Sequence, residues 1–393
     1  MIRIRRIPLA TGVVLALLLS FFFAVPVYVD GSMNRIDHTE GIAITQRARD
    51  LHATLSIGDL HNDLLLWDRG VMGPSPRGHT DVTRLAKGNV AVQVFSTVTK
   101  TPKGQNYERN SAASDNITLL AIASRWPPRT YRSILQRALY QGRKLEEAEA
   151  LSDGRLVIVR SGLQLRNALS RRDEWKGEAG TRPVIGILST EGLQAIEGKV
   201  ENIDTLFAHG FRMAGLAHFF DNEVAGSAHG EAKGGLTPLG RDALRRMEDK
   251  GMIVDLAHSS PAAFDEALKL AMKPVVVSHG GVQATCAGPR NLTDGQLRAL
   301  AANDALIGIG FWDGAICSSS PHEIAKAIRH AVDIAGLEHV ALGSDWDGAT
   351  TVAVSADSLV QVTQALLDSG FTEAEIRAVM GENLLRFLAI HLP

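Results

Sequence analysis

The stretch PLGRDALRRMEDKGMIVDLAHSS (238–260) decides the architecture. Its first fourteen residues have apolar side chains at helical spacing and end at Gly251, a residue that closes helices. MIVDLA (252–257) follows, short and continuous in apolar character, and His258 stands directly after it. A continuous run suits a strand buried on both faces, as in parallel sheets. Seven further runs share this form: LSIGDL (55–60), VAVQVF (90–95), VIGILS (184–189), FRMAGL (211–216), PVVVSH (274–279), ALIGIGF (305–311) and HVALGS (339–344). Helical patterns lie between them, such as TDGQLRALAAND (293–304), which Thr293 or Asp294 can cap. Eight buried strands alternating with helices predict an α/β fold of the (β/α)8, TIM-barrel kind.

Residues 100–183 strain this rhythm. They separate the second and third runs by more than one helix, and the reading is a helical insertion with LVIVRS (156–161) as an extra strand. TEAEIRAVMGENLLRFLAI (372–390) reads as an amphipathic closing helix. The length of 393 residues, with 45% apolar and 21% charged residues, is that of a globular chain. A net charge of −2 gives no basic excess, so nucleic acid is not an expected partner.

The N-terminus is of another character. MIRIRR precedes an uncharged run of 23 residues, Ile7–Val29, long enough to span a bilayer. No A-x-A cleavage pattern closes it, which favours a retained signal anchor over a removed signal peptide. The expected division is therefore 1–31 as anchor or signal and 32–393 as one catalytic domain, with residues 30–50 starting as a polar linker. The arginines would stay in the cytoplasm, leaving the body periplasmic or extracellular. In that setting Cys286 and Cys317 are either bridged or free thiols.

In such barrels the active site lies at the C-terminal ends of the strands. The first run ends in DLHND, where His61 and Asp63, two apart, point the same way. Other runs end at Glu191, His218, His258, His279 and Asp345. A single histidine at a strand end is usually structural. Four of thirteen histidines at such ends, with three carboxylates beside them, point to a metal site. Imidazole and carboxylate without thiolate suit zinc. The count suggests two ions: His61 and Asp63 on one, His258 and His279 on the other, Glu191 bridging, and a hydroxide between them as nucleophile. Asp345, not itself a ligand, is the expected proton carrier.

DLHNDL (59–64), STEG (189–192), GLAHFFDN (215–222), IVDLAHSS (253–260), VVSHGG (276–281), PRNLTD (289–294) and LGSDWDG (342–348), in this order, resemble the membrane dipeptidase (renal dipeptidase) family of zinc peptidases. TDVTRLAKGNVAVQVFS (80–96) and GENLLRFL (381–388) resemble its second-strand region and last helix. The resemblance implies a binuclear zinc barrel with the ligands just named. It implies that His218 polarises the scissile carbonyl, that Arg290 grips the substrate's C-terminal carboxylate, and that Asp345 handles the proton. It further implies a dipeptide substrate, often with a D-residue tolerated at the second position. The partners expected are that dipeptide, the membrane through the N-terminal segment, and a second copy of the chain in a homodimer. Three departures bear on substrate choice: SHGG, whose Gly280 and Gly281 would leave space beside the second zinc; AHFFDN, which puts Phe219 and Phe220 near the pocket; and the 100–183 insertion. The rival reading is another binuclear amidohydrolase acting on a β-lactam, N-acyl amino acid or ester. No lysine stands at the end of the fourth run to bridge metals as in phosphotriesterase-like enzymes, and no ligand is lost, as a mere binding protein would show.

Overall fold

Every one of the eight runs forms a strand. In the computed structural model, which describes Leu17 and residues 19–393, they are β1 (Ile57–Asn62), β2 (Val90–Phe95), β3 (Val184–Thr190), β4 (Phe211–Gly215), β5 (Ile253–Asp255), β6 (Val276–Gly280), β7 (Leu306–Ile309) and β8 (Val340–Leu342). All pairings are parallel, in the order β2-β1-β8-β7-β6-β5-β4-β3, and β2 pairs with β3 to close the ring. Every residue of the eight strands is buried, which is why the runs carry no alternation.

The helices end where their sequences say. Helix Pro238–Lys250 is capped by the Thr237 hydroxyl and closes on left-handed Gly251. Thr293 caps helix Asp294–Ala302 in a reciprocal capping box with Gln296, while Asp294 is its first residue. The 100–183 insertion holds helices Ile117–Ala123, Ile134–Ala150 and Gly162–Asp173. Its extra strand, Leu156–Ile158, is real: it pairs with Val184–Gly186 at the start of β3, and β4 takes over from Leu188 onward. The closing segment is helical from Glu373 to His391, with a wider turn at Ala378–Glu382. Its Leu384, Phe387 and Leu388 pack with residues of the barrel strands, among them Leu60, Ile185 and Met213.

The N-terminal segment behaves differently from the linker expected. Ile7–Ala16 and Leu18, about half of the apolar run, lie outside the described residues. Among the described residues no helix is long and apolar enough to cross a membrane. Helix Val25–Met33 runs through the expected boundary at 31/32, Val29 packs beside Trp67 and Trp126, and Asp30 is buried. Arg35–Ile36 then pairs in parallel with Thr351–Val352. Residues 30–37 are thus built into the body, because the polar side chains that suggested a linker find buried partners there.

Neighbouring chain segments approach closely at Gly308 of β7 and at Gly343, directly after β8. A Cβ on Gly308 or Gly343 would lie 2.2 and 2.1 Å from the Ser278 carbonyl oxygen. That oxygen belongs to backbone and cannot swing aside. Gly343→Ala should therefore destabilise the chain by about 1–3 kcal/mol. An unchanged urea midpoint would show that the barrel relaxes freely at this point.

Candidate metal centre

Each ligand-type side chain leaves one end of the barrel. His61 and His279 lie within β1 and β6; Asp63 and Glu191 directly follow β1 and β3; His218, His258 and Asp345 stand three residues beyond β4, β5 and β8. All seven are at most 5% exposed. Burying so many ionisable groups together is costly unless they pair or bind a cation.

Glu191 is the hub. Its Oε1 lies 2.9 Å from His258 Nε2, 3.3 Å from His279 Nε2 and 3.7 Å from His61 Nε2, and its Oε2 lies 3.1 Å from His218 Nε2. His61 Nε2 faces Asp63 Oδ1 at 3.4 Å, and neither atom makes a hydrogen bond. His258 and His279 turn their Nε2 atoms to within 3.0 Å of each other. Three groups have ligand atoms within 4.8 Å of one another: His61, Asp63 and Glu191; Glu191, His258 and His279; His61, His279 and Asp345. The first two match the expected ligand sets. The third brings Asp345 to 4.0 Å from His61 Nε2, nearer the ligands than a distant proton carrier would stand.

The electrostatics carry the same message. Burial, then the Asp63 charge, pushes Glu191 well above the carboxylate range. Burial lifts Asp345 to about 7 against the pull of His61. His61 would be lowered by burial, but Asp63, Glu191 and Asp345 outweigh that and raise it to about 10. Burial, then Arg290 for His258 and His61 for His279, holds these two well below the usual imidazole range. Protons are thus crowded where a cation could sit. A divalent ion favours the ionised carboxylates and neutral imidazoles instead. The donor set fits such an ion.

Beneath the ligands lies a polar layer that the sequence reading missed. Ser278 Oγ donates to Asp255 Oδ2 at 2.6 Å and sits 2.8 Å from His279 Nδ1. With its proton committed to Asp255, the hydroxyl accepts from Nδ1–H, which leaves the His279 Nε2 lone pair facing the centre. Asp255 also accepts from the backbone N–H groups of Ala257 and Ser278. Asp59 accepts from Gln93 Nε2 at 2.7 Å and from the Ser344 N–H at 2.7 Å, beside Asp345. The signal was present in the motifs. Asp59 stands two residues before His61, on the same face of the strand.

Arg290 flanks the centre and is 7% exposed. Its Nη2 donates to the His279 carbonyl at 3.2 Å, its guanidinium lies 4.7 Å from the Trp312 ring centre, and its buried Nε has no partner. Cys286 and Cys317 are joined in a disulfide, so the open question of their pairing resolves to a bridge across the arginine loop. Phe219 packs 5.0 Å from the His218 and His258 rings, while Phe220 is buried beneath Lys100. Two further residues went unread. Phe219 stacks on His229 at 4.6 Å, and His229 Nδ1 lies 2.8 Å from the Tyr107 carbonyl. Tyr107 comes from the 100–183 insertion, and its hydroxyl accepts from Trp312 Nε1 at 2.8 Å. Neither sits at a strand end, where the reading looked. One expectation needs correction. A Cβ on Gly280 would make only ordinary contact, with Val277 Cγ1 at 3.7 Å, but one on Gly281 would strike the Ala315 carbonyl at 1.9 Å, so that glycine serves loop packing and leaves no room beside a metal.

Comparison with known proteins bears on the family and the fold. The chain is 27% identical over 352 residues to an uncharacterized dipeptidase of Schizosaccharomyces pombe, covering 84% of this chain and 79% of the relative. It is 28% identical over 325 residues to the dipeptidase tcpJ of Claviceps purpurea, covering 79% and 69%. In fold it is similar to a metallo peptidase from Rhodobacter sphaeroides, solved with a phosphinate mimic of the dipeptide L-Ala-D-Ala: TM-score 0.69, 23% identity, 86% of this chain and 99% of that one. The probable dipeptidase PvdM of Pseudomonas aeruginosa gives a TM-score of 0.70 at 17% identity, covering 88% and 97%. The family model for membrane dipeptidase, peptidase family M19, matches residues 45–391, and the chain belongs to that family of metallopeptidases.

Proposed function

We propose that this dipeptidase works with two zinc ions held by His61, Asp63, Glu191, His258 and His279, Glu191 bridging. The observation that carries the reading is the single Glu191 carboxylate with the Nε2 atoms of four imidazoles, from His61, His218, His258 and His279, within 3.7 Å. Two zinc ions bound there would supply charge to polarise the scissile carbonyl and a water activated near neutral pH.

The chain's own residues do the rest. Arg290 binds the substrate's C-terminal carboxylate: a rigid fork with an unpartnered buried Nε is a donor awaiting an acceptor. His218 Nε2 donates to the carbonyl oxygen as charge develops on it. Burial holds this ring well below the usual imidazole range, at about 3, so it is neutral, and ionised Glu191 at 3.1 Å favours the tautomer with its proton on Nε2, the nitrogen that donates. Asp345 takes the proton of the attacking water and passes it to the leaving amine. Phe219, His229 and Tyr107 wall the pocket. We further propose that a D-residue is accepted at the C-terminal position, a reading supported by the L-Ala-D-Ala mimic held by the Rhodobacter relative. The apolar N-terminal run, whose last residues pack on the body, would hold the enzyme to a membrane with the body outside the cytoplasm, where the Cys286–Cys317 bridge is stable.

Zinc-loaded full-length protein should hydrolyse L-Ala-D-Ala and L-Ala-L-Ala, lose both activities to a chelator, and bind two zinc ions per chain by elemental analysis. Asp345→Asn should lower kcat by roughly 10²- to 10⁴-fold with both ions retained. Wild-type rates in that variant would remove Asp345 from the chemistry. Protein that carries two ions yet cleaves neither peptide would point to another amide or ester.

Ser278→Ala should weaken zinc binding by roughly 10- to 100-fold through His279. A titration curve that superimposes on the parent's would show that Ser278 does not orient the ligand.

A further inference from the structure

The loop after β8, from which Asp345 projects, has an unusual backbone. Asp345, Asp347 and Ala349 all take left-handed conformations, at φ 58°, 65° and 61°. Residues with a Cβ adopt this region uncommonly, and persist there when their surroundings dictate it. Part of the dictation comes from the barrel. Trp67 Nε1 donates to the Asp347 carbonyl at 2.7 Å, and the Asp63 N–H donates to the Trp346 carbonyl at 2.9 Å.

The other part comes from the segment that follows the apolar N-terminal run. Asn34 Oδ1 accepts from the Ala349 N–H at 3.0 Å, and the Arg35 N–H donates to the Thr350 carbonyl at 3.2 Å. Arg35–Ile36 then pairs with Thr351–Val352, and the Asp37 N–H donates to the Val352 carbonyl at 2.8 Å. Below these bonds runs a buried ionic chain. Asp30, 1% exposed, pairs with Arg69 Nε and Arg77 Nε, each at 3.3 Å, and accepts from Asn34 Nδ2 at 2.9 Å. Arg69 turns its Nη2 to the fully buried Asp347 carboxylate. Asp347 in turn accepts from the His79 N–H at 2.7 Å, and its own N–H donates to His79 Nδ1 at 2.9 Å.

We infer that Asp30–Asp37, the segment joining the apolar N-terminal run to the body, belongs to the catalytic scaffold, and that Asp30 is a positioning residue acting through Arg69 and Asp347 on the backbone that aims Asp345. This rests on the proposed role of Asp345. A chain cut anywhere between Asp30 and Asn34 loses Asp30, so the body cut there is a weaker enzyme than the full chain. A segment that merely tethered the body would contribute nothing to turnover.

The test uses the full-length, zinc-loaded protein with L-Ala-D-Ala. Asp30→Asn keeps the shape and removes the charge; it should lower kcat about tenfold, leaving KM within about twofold and bound zinc unchanged. Asp30→Glu should recover most of the rate. Amide hydrogen exchange over residues 345–352 should accelerate in Asp30→Asn, in zinc-free protein as well. Asn34→Ala, which removes only the bonds to Asp30 and Ala349, should shift kcat and exchange in the same direction by less. Unchanged kcat and exchange in folded Asp30→Asn overturns the inference; if that variant does not accumulate, unchanged values in Asn34→Ala overturn it. Wild-type turnover in Asp345→Asn would instead sink the role of Asp345, so the two failures are distinct.

Discussion

The structure is organised around one buried carboxylate. Glu191 sits between four imidazoles inside a ring of apolar strands, with Asp63 and Asp345 close by. In such a place a proton or a cation must balance the charge, because water cannot. Without a cation the protons crowd onto Glu191, Asp345 and His61. With one, Glu191 and Asp345 would hold their negative charge and His61 would give up its proton. The preference for metal is thus set by packing, since it is burial that makes the alternative protonation states expensive. Loss of one ligand would leave the others uncompensated, which is why the cluster behaves as a unit.

That unit needs orientation as well as composition. Imidazole presents a lone pair only from the nitrogen without hydrogen, so a donor or acceptor behind the ring decides what the front can do. Ser278 and Asp255 do this for His279, and the Ser278 hydroxyl also lies 3.4 Å from His61 Nδ1. Asp59 holds Ser344 and so the start of the Asp345 loop. The two aspartates belong to β1 and β5, strands buried along their whole length. His258 is the exception. Its Nδ1 has no partner, and the residue takes a left-handed backbone at φ 62°, so its aim rests on Glu191, His279 and the backbone around it.

Which parts of this were legible in the sequence follows from range. Strands buried on both faces announce themselves as continuous apolar runs, so all eight were found, and the ligands stand at their ends. Thr293 and Gly251 act locally and were readable as caps. The orienting layer was half-visible: Asp59, Asp255 and their partners Gln93, Ser344 and Ser278 all sit inside quoted motifs, but each pair joins different motifs, so the pairing is set by the fold. Tyr107 and His229 were invisible because they reach the site from long loops, where no periodicity fixes direction. Gly281 misled for a related reason. A glycine beside a ligand suggests space, and only the folded Ala315 carbonyl shows that the space is taken.

Range also explains why the parts outside the barrel matter. A (β/α)8 barrel fixes residues at strand ends well and loops beyond them poorly. Asp345 stands three residues past β8, in a loop whose left-handed residues each cost of order 1 kcal/mol or more. The strands cannot hold such a loop alone. Two segments foreign to the repeating unit close on the site: the 100–183 insertion, through Tyr107 and the Lys100 carbonyl, and the N-terminal segment, through Asp30, Asn34 and Arg35. One brings Tyr107 and Lys100 beside Phe219 and His218; the other braces the backbone from which Asp345 projects. The barrel therefore places the ligand-type side chains, while the walls around them and the backing of the last loop come from segments whose sequences follow no barrel pattern.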